Sequence, residues 1–118
     1  MIKLTASQFQ WSETEQVYPN EIALDGSILY CAMVDFGLLP NNGTKNVAHN
    51  LVGVLGENIV KFFGNTYHTS NTFQTLPFAH TAGSTYNIIL SASSENITIS
   101  TKVNYTAHYA KVFLVYKK

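Results

Sequence analysis

The sequence predicts an all-β protein, an antiparallel β-sandwich of about seven or eight strands, and three observations predict it. Polar uncharged residues stand where charges are usually found: threonine occurs twelve times, asparagine eleven and serine nine, beside seven tyrosines and seven phenylalanines. Threonine and the aromatics fit a pleated, half-buried surface, and asparagine and serine fit the turns between strands. No window keeps an apolar stripe at i, i+3, i+4, i+7 for three helical turns. The best helical candidate, Asn46 to Leu51, is too short to stand alone. Finally, apolar and polar residues alternate in short runs divided by turn residues, the period of a strand with one buried face.

Taken in order, Ile2, Leu4 and Ala6 alternate with Lys3, Thr5 and Ser7. A second run covers Glu15 to Leu24, and its Pro19 suits an edge strand or a bulge. Asp25-Gly26 is the strongest tight-turn signal in the chain, a structural turn that joins this run to the next. Ser27 to Phe36 then carries Ile28, Tyr30, Ala32, Val34 and Phe36 on one face and Leu29, Cys31 and Met33 on the other, so both faces should be covered. Gly37 to Lys45 reads as a loop, and Val47 to Gly56 is ambiguous. Asn58 to Asn65 is a strand with Ile59, Lys61 and Phe63 on one face and Val60 and Phe62 on the other. Residues 65–85 form a polar middle that includes Leu76-Pro77-Phe78. Three strands close the chain, Tyr86 to Ser93, Asn96 to Thr101 and His108 to Tyr116, and their short links read as a meander. The long middle connection suits a crossover between two sheets, as in a jelly roll. With no repeat, low-complexity tract or linker, 13–118 is expected to be one domain, preceded by residues 1–12 as an attachment arm or first strand.

The charge balance excludes several classes of function. Seven lysines face seven acidic residues, arginine is absent, and the net charge is zero. A nucleic-acid binder needs a basic patch, and a membrane-surface binder needs a polybasic run. No apolar run reaches the ~18 residues of a membrane span, so no membrane insertion is expected. No signal peptide is visible, which gives an expectation of synthesis in a cytoplasm. Only 12% of residues are charged against 46% hydrophobic, so the chain is poorly defended against self-association and is expected to oligomerise. The two-faced strands make Leu29, Met33, Val60 and Phe62 the candidate oligomer interface.

No motif points to catalysis, a metal or a cofactor. The four histidines, His49, His68, His80 and His108, show no metal-pair spacing, though His68 and His80 could meet across the polar middle. His49 reads as a structural histidine satisfied by a turn, and His108 as a residue at the edge of the last strand. The carboxylates are scattered, with Asp25 in its turn, Asp35 at a strand end, and Glu57 and Glu95 in links. Cys31 is alone, so it forms no intrachain disulfide, and its apolar neighbours make it core. Nucleophile elbows and phosphate loops are absent. Aromatics beside polar segments can stack on sugar rings or anchor a protein. Tyr67, His68, Asn71 and Phe73, with Phe78 and His80, are therefore the candidate recognition loop.

The run Asp25-Gly26-Ser27-Ile28-Leu29-Tyr30 resembles the Asp-Gly-x-x-(apolar)-Tyr signature of a bacteriophage module found as a terminal domain of tail and head fibres. The neighbouring features are similar in order: Glu13 to Tyr18 before it, then Leu39-Pro40-Asn41, Val47-Ala48-His49-Asn50, Leu76-Pro77, Asn96-Ile97-Thr98-Ile99 and Val112 to Lys117. The resemblance spans 13–118, and it departs at Ala23-Leu24, where many relatives carry an aromatic. It implies a jelly-roll-like sandwich, a homotrimer, and a structural or host-binding role in the virion. Relatives often end long fibres. A chain this short is expected instead to be a capsid decoration, head-fibre or small tail-fibre component that contacts other virion proteins. A receptor- or glycan-binding fibre tip, reaching a host surface glycan, is the alternative.

Overall fold

The computed structural model describes residues 9–51, 56–70, 72–79 and 83–118. Eight strands run in order: β1 (Gln16–Ile22), β2 (Ile28–Leu38), β3 (Thr44–Ala48), β4 (Ile59–His68), β5 (Phe73–Leu76), β6 (Ile88–Ala92), β7 (Asn96–Thr101) and β8 (His108–Tyr116). They form a five-stranded sheet, β1-β2-β8-β4-β5, and a three-stranded sheet, β3-β7-β6, with every pairing antiparallel. The sheets pack face to face, so the protein is an all-β, sandwich-like fold. Between them lies the main core. Ala32, Val34 and Phe36 come from β2, Ala110, Val112, Leu114 and Tyr116 from β8, and Ile88, Ile97 and Ile99 from the smaller sheet.

The Asp25-Gly26 turn forms as the dipeptide dictates. Gly26 takes φ +85° and donates its N–H to the Ala23 carbonyl at 2.9 Å, while Asp25 Oδ1 accepts the Ser27 N–H at 2.9 Å. That φ is open to glycine at little cost. β1 is an edge strand whose pairing breaks between Val17 and Ile22, and it holds Pro19 there, with Asn20 at φ +62°. β2 buries both faces. Its odd residues Leu29 and Cys31 join Ala23 and Val115 in a second cluster, packed under Phe9, Trp11 and Tyr18. A strap, residues 9–15, thus supplies the cover that an apolar outer face demands. It is pinned by the Met33 N–H, which donates to the Ser12 carbonyl at 2.9 Å. Burying a side chain such as Leu29 contributes roughly 1.5–3 kcal/mol, so the cover is a stabilising element in its own right. Gly64 marks a close approach in the middle of β4. A Cβ there would lie 2.9 Å from the Lys111 carbonyl of β8.

Several expectations are corrected. The last three strands are not a meander: β6 and β7 pair, but β8 crosses to the other sheet and inserts between β2 and β4. Asn46 to Ala48 is strand, not helix, because β7 offers it a pairing partner through Ala48↔Asn96. Asp35 does not end its strand, which continues through a bulge to Leu38. In β4 a bulge at Val60 breaks the alternation, so Ile59 and Phe62 both pack on the main core while Val60 is exposed. Leu29 has no accessible surface, being covered by its own chain, so it offers nothing to an oligomer interface. Phe62 is likewise turned inward. Met33 is half-buried beside the strap, and of the four candidates Val60 alone counts among the exposed large hydrophobics. Residues 9–12 lie against the chain's own sheet. The alternation at Ile2, Leu4 and Ala6 lies outside the described residues.

Candidate functional site

Antiparallel register sorts the outer face of the five-stranded sheet into rows, because directly opposed residues point to the same side. Two rows, Met33–Phe113–Phe63 and Cys31–Val115–Lys61, lie beneath or beside the strap. There Trp11 packs edge-on to Phe113 with centroids 4.9 Å apart, and Phe63 stacks on Phe113 at 5.2 Å. The ring contacts of Trp11 fall on Phe63 and Phe113, and two further rows lie beyond them. One row there is polar, Asp35–Lys111–Asn65–Thr75. The last row is Leu38–Tyr109–Tyr67–Phe73, one apolar or aromatic side chain from each of β2, β8, β4 and β5. Tyr67 and Tyr109 stack at 5.2 Å with ring planes 25° apart. Leu38 is 57% exposed, Tyr109 41% and Phe73 69%, values far above those of core residues.

The opposite side of the same end holds a histidine pair. His68 and His108 are register partners on β4 and β8, with ring centroids 4.7 Å apart, and Tyr105 meets His108 edge-on at 5.1 Å. His68 Nδ1 lies 2.6 Å from the Ser70 hydroxyl. His108 Nδ1 is buried without a partner, and burial, followed by the nearness of His68, holds its pKa below the usual histidine value. His108 is the first residue of β8, the strand end where the sequence places it, and β8 itself is central in the sheet. A backbone hydrogen bond with Tyr105 opposes that shift without reversing it.

A cleft of about 550 Å³ opens beside β2, past its pairing with β1, lined by the strap, the end of β3 and Lys118. Glu13, Glu15, Asp35 and His49 all reach it, so folding collects carboxylates that the sequence scatters. Most are engaged in structure. Glu15 accepts the Tyr116 hydroxyl at 2.5 Å and pairs with Lys118 at 2.7 Å. Burial alone would raise the Glu15 pKa, but these hydrogen bonds outweigh it and hold the carboxyl below its usual value. Asp35 Oδ1 accepts the Gly37 N–H at the bulge. His49 Nε2 lies 2.9 Å from the Ser93 carbonyl and Nδ1 accepts the Leu51 N–H at 3.1 Å, so both ring nitrogens are used, as expected of a turn histidine. Among the described residues no group of three His, Cys, Asp or Glu side chains could hold a metal ion.

The predicted recognition residues divide. Tyr67 and Phe73 share the outer row, as strand residues flanking a hairpin rather than loop residues. His68 points to the opposite face. Phe78 leaves this hairpin and pairs with Ile88. Asn71 and His80 lie outside the described residues, as does any meeting of His68 with His80. Tyr109 and Leu38, which complete the row, escaped sequence reasoning because only the pairing of four strands brings them beside Tyr67. The signal available was the outward position of Tyr109 in an alternating strand.

Fold and surface together define a two-sheet antiparallel β-protein with an internally strapped outer face and an open aromatic row. No protein-family model, no curated protein and no solved structure matches the chain.

Proposed function

We propose that the chain is a structural protein of a bacteriophage virion, a capsid decoration, head-fibre or small tail-fibre component that works by assembly and not by catalysis. The observation that carries this reading is the apolar end of the five-stranded sheet. Ile22 and Ile28 are opposed there, Leu24 tips the β1–β2 turn, and Val60 is the second residue of β4, with exposures of 64%, 43%, 110% and 47%. On a chain of zero net charge such an end invites burial by neighbouring subunits. Interface burial of this kind replaces the predicted role of Leu29 and Phe62 and keeps that of Val60.

A homotrimer is the oligomer that the phage resemblance implies, and closed symmetry suits a heterologous contact made at one end of each subunit. Interleaving of β8 between β2 and β4, and of β7 between β3 and β6, supports the jelly-roll-like reading. In the cleft Glu15 is held by Tyr116 and Lys118 and Asp35 by a backbone N–H, which favours a structural over a catalytic role for these two. Light scattering coupled to size exclusion, with antibody labelling of purified particles, tests the proposal. The expected result is a trimer at micromolar concentration, shifted toward monomer by Ile28→Glu, and a fixed copy number per virion. A clean monomer that is missing from particles overturns it.

A further inference from the structure

We propose that the row Leu38–Tyr109–Tyr67–Phe73, with the polar row Asp35–Lys111–Asn65–Thr75 beside it, is a carbohydrate-binding surface. The inference stands on the sheet face alone and holds whether or not the chain belongs to a virion.

The first argument is the pairing of two chemistries at a fixed spacing. A pyranose ring has apolar C–H faces and a rim of hydroxyls. The aromatic row offers rings to the former: Phe73 is 69% exposed at the end of the row, and the Tyr67–Tyr109 stack stands next to it. The neighbouring row lies two residues along β8, β4 and β5, a distance of about 6.6 Å, and three residues along β2 across its bulge. It supplies a carboxylate, an ammonium, an amide and a hydroxyl, groups that together donate to and accept from sugar hydroxyls. The tyrosine hydroxyls add to that set. Strand spacing of about 4.8 Å makes each row roughly 14 Å long across four strands, enough for a short run of sugar units. Both rows stand on paired strands, and Tyr67 and Tyr109 are held by each other, so little ordering is left for a ligand to bring about.

The second argument is area. With ~150–250 Å² per aromatic side chain, the open part of the row amounts to something on the order of 400 Å². A functional patch on a monomer has about this size. A stable protein–protein interface needs about 800 Å² from each partner, and its core is depleted of charge, whereas Asp35 and Lys111 border this row. A nucleic acid would require positive potential that a chain with seven lysines and seven acids lacks. The exposed apolar end of Ile22, Leu24, Ile28 and Val60 is a separate surface at the other end of the same strands, so subunit contacts there leave the row open.

The test uses the full chain on an array of bacterial surface polysaccharides and of plant and animal oligosaccharides, followed by calorimetric titration of the best soluble fragment. Wild type is expected to bind at least one glycan. Phe73→Ala is expected to weaken that binding roughly tenfold or more, with melting temperature and oligomer size unchanged, since Phe73 is mostly exposed. Tyr109→Ser and Asn65→Ala are expected to weaken it as well. Absence of binding across the array overturns the inference. So does binding that survives Phe73→Ala and Tyr109→Ser. If Phe73→Ala instead splits the oligomer, a second copy of the chain occupies the row and the carbohydrate assignment fails.

Discussion

His49 and His108 show one residue type in opposite circumstances. His49 is buried with both ring nitrogens engaged: Nε2–H donates to the Ser93 carbonyl, and Nδ1 accepts from the Leu51 N–H. That fixes the tautomer and ties the end of β3 to the β6–β7 turn. His49→Ala orphans a carbonyl and an amide, each costing about 1–3 kcal/mol when buried. A loss of roughly 2–4 kcal/mol in urea unfolding is therefore expected, and a loss under 1 kcal/mol would show that water replaces the ring. His108 is buried enough to resist protonation and sits against His68. Its folded pKa lies below the unfolded value of ~6.5, so the unfolded state binds the proton first. The stability tied to neutral His108 is fully present above that value and is lost as pH falls through it toward the folded pKa. Melting temperature should drop between pH 7 and pH 5, and His108→Gln should flatten the slope. An unchanged slope in the variant would assign the acid sensitivity to another group. At this scale the sequence was legible where function is local: the turn role of His49, the Asp25-Gly26 turn and the buried Cys31 were each readable from their neighbours. The pairing of His108 with His68 was not, because it depends on strands forty residues apart in the chain.

At the scale of elements, β1, β2, β7 and β8 could be placed from alternation and turn residues, while partners and faces could not. The short β7–β8 link has the composition of a hairpin turn, yet β8 pairs in the other sheet, since what decides pairing is the apolar surface waiting on β2 and β4. The bulge at Val60 flips the face of everything before it, and no residue type announces it. The strap was invisible for a related reason: residues 9–15 carry no periodicity and act only through what they cover. Its effect can be measured from a single tryptophan and a single cysteine. Trp11 packs on Phe113 and Phe63, and Cys31 lies in the cluster beneath, where burial pushes its thiol up to about 11. A buried thiol with that pKa should not react with a disulfide reagent at pH 8. Trp11→Ala should raise the rate of Cys31 labelling at least tenfold and cost about 2–3 kcal/mol, near the low end for aromatic truncation because Trp11 is only half-buried. Equal labelling rates in both proteins would mean that the strap does not guard the cluster.

At the scale of the whole molecule, the order of strands in space makes the fold indivisible. β8 is the last strand in the chain and the central strand of the larger sheet, hydrogen-bonded to β2 on one side and β4 on the other. Its run Val112 to Tyr116 is buried throughout and contributes to both clusters, Val112, Leu114 and Tyr116 to the main core and Val115 to the one beneath the strap. Without it, β2 and β4 become two unpaired edges with apolar faces, and the strap loses Phe113 as its seat. The five-stranded sheet therefore cannot be completed until β8 is present, and nonlocal pairing of this kind folds slowly and cooperatively. A fragment ending at Thr106 should show no cooperative melting and should expose Trp11 to water. Adding a peptide of residues 107–118 should restore both, because the peptide carries the missing strand with its hydrogen bonds and its buried side chains, a case of strand addition between two waiting edges. The same peptide with Leu114→Asp should fail, since a carboxylate cannot enter the main core unpaired. Trp11 emission, which blue-shifts as the ring docks on Phe113, follows the titration directly. Cooperative melting of the fragment alone would mean that β2 and β4 can close on each other, and the central place of β8 would then be a convenience of the fold and not its keystone.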